Sequence, residues 1–114
     1  MREKYILTFD LGTTGNKATL YDLNLNHLAQ AYEDYPLYYP EPGWVEQDPV
    51  DFWKSVKNTL STIRSEFDFS PKDLAALAFT SQMNCTIPIN DQGVPLIKCI
   101  SWLDTRASVI IKKI

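Results

Sequence analysis

The sequence predicts an α/β fold: a mixed sheet that opens on an antiparallel three-stranded meander, with flanking helices. Three features carry the prediction. Residues 5–9, YILTF, and 17–21, KATLY, are rich in β-branched and aromatic residues and flank a glycine-containing loop, which is a hairpin signal. Trp53, Val56, Leu60, Ile63 and Phe67 recur at intervals of three and four and form one apolar helix face. Residues 73–81, DLAALAFTS, follow a Ser70-Pro71 break and read as a buried strand, with a short helix as the competing reading of so apolar a run.

The remaining elements follow in order. A turn at residues 22–26, DLNLN, leads into LAQAYEDY, the third strand of the meander. In YPLYYPEPGWVEQDP, residues 35–49, Pro36, Pro40, Pro42 and Pro49 together with Gly43 forbid a regular helix or a central strand. The aromatics there must pack somewhere, so an ordered loop is expected. Asp48 is placed to cap the helix, with Pro49 at its first position and Asp51 near its positive end. CTIPIN and PLIKCISW flank NDQGV and predict a second hairpin, in which Pro88 pushes its strand toward an edge. Finally DTRASVIIKKI begins a helix in which Ile110, Ile111 and Ile114 are apolar. It has no C-cap glycine or following proline, so the chain reads as a portion of a longer one. An uncovered isoleucine face would favour self-association into a homo-oligomer or a disordered terminus.

Composition narrows the function. A chain of 114 residues is about one domain in size. Lys+Arg 11 against Asp+Glu 14 gives a net charge of -3, and like charges run no further than Lys112-Lys113, so no basic stripe exists for nucleic acid. The apolar run YILTF stops at Asp10, too short for a secretory leader, and no segment approaches the roughly 18 apolar residues of a membrane span. Cys85 and Cys99 form no CxxC pair and lie far from the single histidine, His27, so they read as buried thiols and not as a zinc site. A soluble cytoplasmic protein fits these features.

The glycine turn is the strongest site signal. In FDLGTTGNKATLYD, residues 9–22, Gly12 and Gly15 bracket two threonines. Glycines permit positive φ, so the backbone N–H groups of such a turn can converge into an anion-binding nest. Neither GxxxxGK[ST] nor GxGxxG is present. Asp10 ends the first strand beside the nest, where one carboxylate suits a Mg²⁺ ion that keeps most of its waters. Thr13 and Thr14 add hydroxyls and Lys17 a compact positive charge.

D-x-G-T-T opening a β-hairpin resembles the first phosphate motif of the actin, Hsp70 and sugar-kinase ATPase superfamily, which has a ribonuclease-H-like fold. That motif alone does not choose among the branches, and a chaperone-like or cytoskeletal ATPase or a non-catalytic binding module stays open at this point. Two further segments do choose. YPEPGWVEQDPVDFW, residues 39–53, resembles the P-G-W-x-E-x-D-P segment of the FGGY carbohydrate kinases, and ISWLDTRA, residues 100–107, resembles their V-W-x-D-x-R segment. The sequence is identified as a member of that family, with residues 1–114 as the N-terminal part of its N-terminal domain.

The resemblance implies ATP and Mg²⁺ as cofactors and a sugar or polyol as the substrate. It assigns Gly12, Thr13, Thr14 and Lys17 to the nucleotide phosphates and Asp10 to the metal through water. Gly15 stands where glycerol kinases carry serine, so one hydroxyl donor is lost while the backbone N–H stays available. Substrate contacts fall on Gln82, Met83 and Asn84; glycerol kinases have Q-R-E-T there and xylulokinases Q-M-H-G, so Gln82-Met83 is nearer the second pattern and Asn84 matches neither. An asparagine offers both a donor and an acceptor to a polyhydroxyl ligand. Trp102 falls where an aromatic face can cover the apolar side of a sugar. Asp104 and Arg106 either contact the substrate or cap a helix and carry surface charge. The resemblance places the general base, an aspartate, downstream of Ile114.

Overall fold

The computed structural model describes residues 4–113. The expectation for Ile114 lies outside the described residues. Two compact units make up the chain: Met1–Tyr35 with Phe52–Gln82, and Pro36–Asp51 with Met83–Ile114.

The first unit is built on a four-stranded sheet in the order β3-β2-β1-β5. Strands β1 (Tyr5–Leu11), β2 (Gly15–Asp22) and β3 (His27–Asp34) form the expected antiparallel meander. At its second turn the Asp22 carboxylate accepts the N–H groups of Asn24 and Asn26 at 2.8 and 2.9 Å, which lets Leu25 take a positive φ of 65°. Strand β5 (Leu74–Ser81) runs parallel to β1 and makes the sheet mixed.

Alternation sets the faces. Tyr5, Leu7 and Phe9 of β1, Ala18 and Leu20 of β2 and Ala29 and Ala31 of β3 are buried on one face. Helix α1 (Pro49–Glu66) covers that face with Val56 and Ile63, while Phe67 and Phe69 pack edge-on to Tyr5 at 5.3 and 6.3 Å. Complete burial of Leu7, Leu20 and Ile63 contributes about 2–3 kcal/mol each. The predicted stripe holds except at its first member. Trp53 is 62% exposed, and the positions facing the sheet include Ser55 and Thr59. Small polar residues are tolerated there because they bond locally: Thr59 Oγ1 donates to Ser55 O at 2.8 Å and receives Asn16 Nδ2 at 3.1 Å.

Strand β5 is a strand, but it is not buried. Leu77 and Phe79 are 55% and 56% exposed, on a strand that stands at the edge of the sheet. Phe79 finds one partner, stacking on Phe9 at 5.0 Å.

In the second unit, Asp48 accepts the Val50 N–H at 3.0 Å and so caps α1 as expected. Strand β4 (Glu46–Gln47) pairs antiparallel with β6 (Cys99–Ile100), a short ladder the proline-rich segment was not expected to make. The predicted second hairpin reduces to a turn and isolated bridges. Gly93 has a φ of 76° and donates to Asn90 O at 2.9 Å, but only Ile89↔Pro95 and Thr86↔Ile100 bridge, in registers that differ. Leu96 donates to Pro88 O at 2.9 Å, but Pro88 has no N–H to return the bond, so the ladder stops there. The terminal helix is also shorter than expected: α2 spans Ser108–Ile111, with Ala107 and not Asp104 at its N-cap. Cys99 is buried and Cys85 half-buried, and both are free. Burial, with the Cys85 thiol nearby, pushes the Cys99 thiol up to about 11, so it stays protonated at neutral pH.

Candidate functional site

The residues assigned to phosphate binding come together in the first unit. Leu11 ends β1 and Gly15 begins β2, so Gly12, Thr13 and Thr14 are the whole connection. Asp10 pairs in register with Lys17 across the ladder, and both are exposed. Neither side chain makes a hydrogen bond or ion pair among the described residues. Thr80 flanks Asp10 on β5 and Tyr32 flanks Lys17 on β3, so a polar row crosses the face opposite the core. Gln82 continues past β5, its N–H donating to Leu11 O at 2.8 Å beside the turn.

The glycines serve a different purpose from the one expected. The positive-φ glycines among the described residues are Gly43 and Gly93, so Gly12 and Gly15 do not form a nest through left-handed backbone. The Gly12 N–H is engaged at 2.9 Å with Gly15 O and closes the turn. What Gly15 supplies is room: a Cβ there would lie 2.3 Å from Tyr32 Oη and 2.7 Å from Glu33 O. At Gly12 a Cβ would come to 3.3 Å from Gly15 O. Close approach, not dihedral freedom, demands glycine here.

Two tyrosines that the sequence reading left unassigned brace the turn. Buried Tyr35 donates its backbone N–H to Thr14 O at 3.2 Å and its hydroxyl to Gly12 O. Its ring packs edge-on to Phe52 at 5.0 Å. Tyr32 brings its hydroxyl to 3.4 Å from Thr14 Oγ1. The available signal was positional: a hairpin loop is supported from the neighbouring strand, here the end of β3.

The residues assigned to substrate are distributed otherwise. Met83, Asn84, Trp102, Asp104 and Arg106 belong to the second unit, apart from Gln82 in the first. Met83 and Trp102 are 78% and 53% exposed, and Asn84 holds a positive φ of 58°, which asparagine tolerates. Asp104 and Arg106 form the centre of a clasp. The buried Asp104 carboxylate accepts the Val45 N–H at 2.7 Å and the Arg106 N–H at 2.9 Å, and pairs with Arg106 Nη2 at 2.7 Å. Arg106 Nη2 also reaches Glu46 Oε1 at 2.8 Å, and the guanidinium lies 3.9 Å over the Trp44 ring. Beside them Gly43, at φ 80°, accepts the Thr105 N–H at 2.8 Å. The arginine bonds and the backbone donors hold Asp104 down to about 2. The two sequence motifs thus meet as one structure, and the carboxylate that fixes residues 104–106 in a turn is what delays α2 to Ser108.

Among the described residues there is no cluster of three or more potential metal ligands. No helix of the described residues is long and apolar enough to cross a membrane.

Comparison with known proteins places this geometry. A gluconate kinase from Lactobacillus acidophilus superposes with a TM-score of 0.88 at 31% identity, covering 97% of this chain and 22% of its own. A ligand-bound xylulose kinase from the same organism gives 0.87 at 31% identity, over 96% of this chain and 22% of its own. The fold is therefore the ribonuclease-H-like, actin-like ATPase fold. A glycerol kinase of Acaryochloris marina is 39% identical over 105 residues, 91% of this chain and 21% of that protein. The profile of the FGGY family of carbohydrate kinases, N-terminal domain, matches residues 5–114, and the chain belongs to that family. It spans about a fifth of the length of the curated relatives it matches.

Proposed function

We propose that the protein carrying this chain transfers a phosphoryl group from ATP to a hydroxyl of a sugar or polyol, in the cytoplasm, and that residues 1–114 are the N-terminal part of its first domain. One observation carries the reading: Asp10 and Lys17 face each other, exposed and without a partner among the described residues, at the mouth of a turn built for close approach. Opposite charges left open at such a turn suit a ligand that carries both phosphates and a cation. Thr13 and Thr14 offer hydroxyls to phosphate oxygens, Lys17 offsets their charge, and Asp10 holds the hydration shell of the metal. Bound Mg²⁺ would supply charge neutralisation at the transferring phosphoryl group.

Gln82, Met83, Asn84 and Trp102 are assigned to the substrate, with Trp102 covering an apolar sugar face and the two amides bonding hydroxyls. Asp104 and Arg106 are assigned to the substrate as well, Asp104 through the arginine it holds. Arg106 Nη1 is the guanidinium nitrogen not engaged in the clasp, and it remains able to donate. The general base is assigned to an aspartate outside residues 1–114, so the 114-residue chain alone should be inactive. The test is ADP release by the full protein with a panel of polyols, ketoses and aldonates. At least one substrate is expected, and the isolated chain should give none with the same panel. A full protein silent on the whole panel while it binds ATP would contradict the kinase reading.

A further inference from the structure

Tyr32 stands out among the side chains around the turn because its aromatic ring and its hydroxyl do different things. It sits on β3 opposite Lys17, one pleat repeat along from the Gly15↔Asp34 pair, so its ring leans diagonally across Gly15. A Cβ at position 15 would meet Tyr32 Oη at 2.3 Å and Cζ at 2.5 Å. The tyrosine thus occupies the volume a side chain of residue 15 would fill. Its ring alone would suffice to cover a bare glycine in a sheet. The hydroxyl goes further, ending 3.4 Å from Thr14 Oγ1 at the exposed tip of the turn, while Tyr32 itself remains 58% exposed.

We propose that Tyr32 is a positioning residue of the phosphate loop, its hydroxyl orienting the Thr14 hydroxyl toward a nucleotide phosphate from the place left open by Gly15. This rests on the nucleotide reading given above. Each hydroxyl has one proton and two lone pairs, so a bond between the pair still leaves one proton to donate outward. With Tyr32 as the donor, Thr14 Oγ1 accepts and keeps its own proton for a phosphate oxygen. A residue in that role affects how well ATP is held and leaves the sugar side untouched.

The test is steady-state kinetics on the full protein with Tyr32→Phe, Thr14→Val, the double variant and Asp10→Ala. Tyr32→Phe keeps the ring over Gly15, so a purely structural tyrosine would tolerate it. The expected result is a rise of about 3- to 10-fold in KM for ATP, with kcat and KM for the sugar within about two-fold of wild type. In the Thr14→Val background Tyr32→Phe should add nothing further, because the group it orients is gone. An unchanged KM for ATP in Tyr32→Phe, or losses that simply multiply in the double variant, would overturn the proposal. Asp10→Ala separates the two levels of the argument. If it disables turnover while Tyr32→Phe is silent, only the role of Tyr32 falls; if both are silent, the nucleotide reading falls with it.

Discussion

The glycine turn and the clasp each bring an aspartate close to a basic residue, yet they treat the charges in opposite ways. At the turn Asp10 and Lys17 are neighbours across two strands, exposed, and their side chains bond to nothing among the described residues. At the clasp Asp104 is buried, takes two backbone N–H groups and pairs with Arg106, which is itself shared with Glu46 and stacked on Trp44. The difference shows which charges are available to a ligand. A carboxylate already bonded by four N–H donors has little capacity left, and removing it leaves a half-buried arginine short of a partner. An exposed carboxylate beside a close-approach turn contributes little to stability and retains its full capacity for a metal or a phosphate-bound water.

Four substitutions sharpen that contrast. The largest effect is expected from Asp10→Ala in the full protein, which should lower kcat by roughly 100-fold or more while KM for the sugar and the melting temperature stay near wild type. Kinetics and calorimetry on one preparation check both halves. A destabilised protein would move Asp10 to the scaffold side of the comparison. Next comes Gly15→Ala. The added Cβ cannot fit without moving Tyr32 or the Glu33 carbonyl, so a stability loss of about 1–3 kcal/mol and a raised KM for ATP are expected, with Gly12→Ala milder. Denaturant unfolding of the two variants would show the order.

The last effect, read as the shape of a pH profile and specific to acid, concerns Asp104. Its pKa is held at about 2, below the ordinary 3.8, so its contribution to stability is complete above pH 4 and fades as pH falls toward 2. Trp44 lies under the Arg106 guanidinium and serves as a fluorescent reporter. Asp104→Asn should flatten the acid transition of that signal over this window. A transition unchanged in the variant would mean that another carboxylate controls the clasp.

Much of the fold was legible because local chemistry and tertiary packing agree there. The meander, the capped helix and the proline-limited segment follow from alternation, spacing and missing N–H groups. The failures have specific causes. Strand β5 is apolar, but periodicity does not say which elements will cover a strand, and β5 stands at the edge of the sheet. Pro88 stands opposite Leu96 at a position whose N–H the ladder needs, so it ends the pairing and does more than move the strand to an edge. Asp104 looked like a helix cap because its bond to Arg106 N is local, whereas the partners that decide its role, Val45 and Arg106, include one 59 residues away. The positions of the phosphate turn were readable from its residue types. The reason for its glycines was not, since it depends on Tyr32 crossing from β3, a diagonal contact that only the strand register reveals.

The central claim is that the turn at residues 10–17 is open to nucleotide and the clasp of residues 43–46 and 101–106 is not. Hydrogen–deuterium exchange of the full protein with and without Mg²⁺ and ATP, in the absence of sugar, tests it directly. Peptides covering residues 10–17 should gain protection, and peptides covering 43–46 and 101–106 should exchange at unchanged rates. Protection confined to the clasp, with the turn unaffected, would contradict the account.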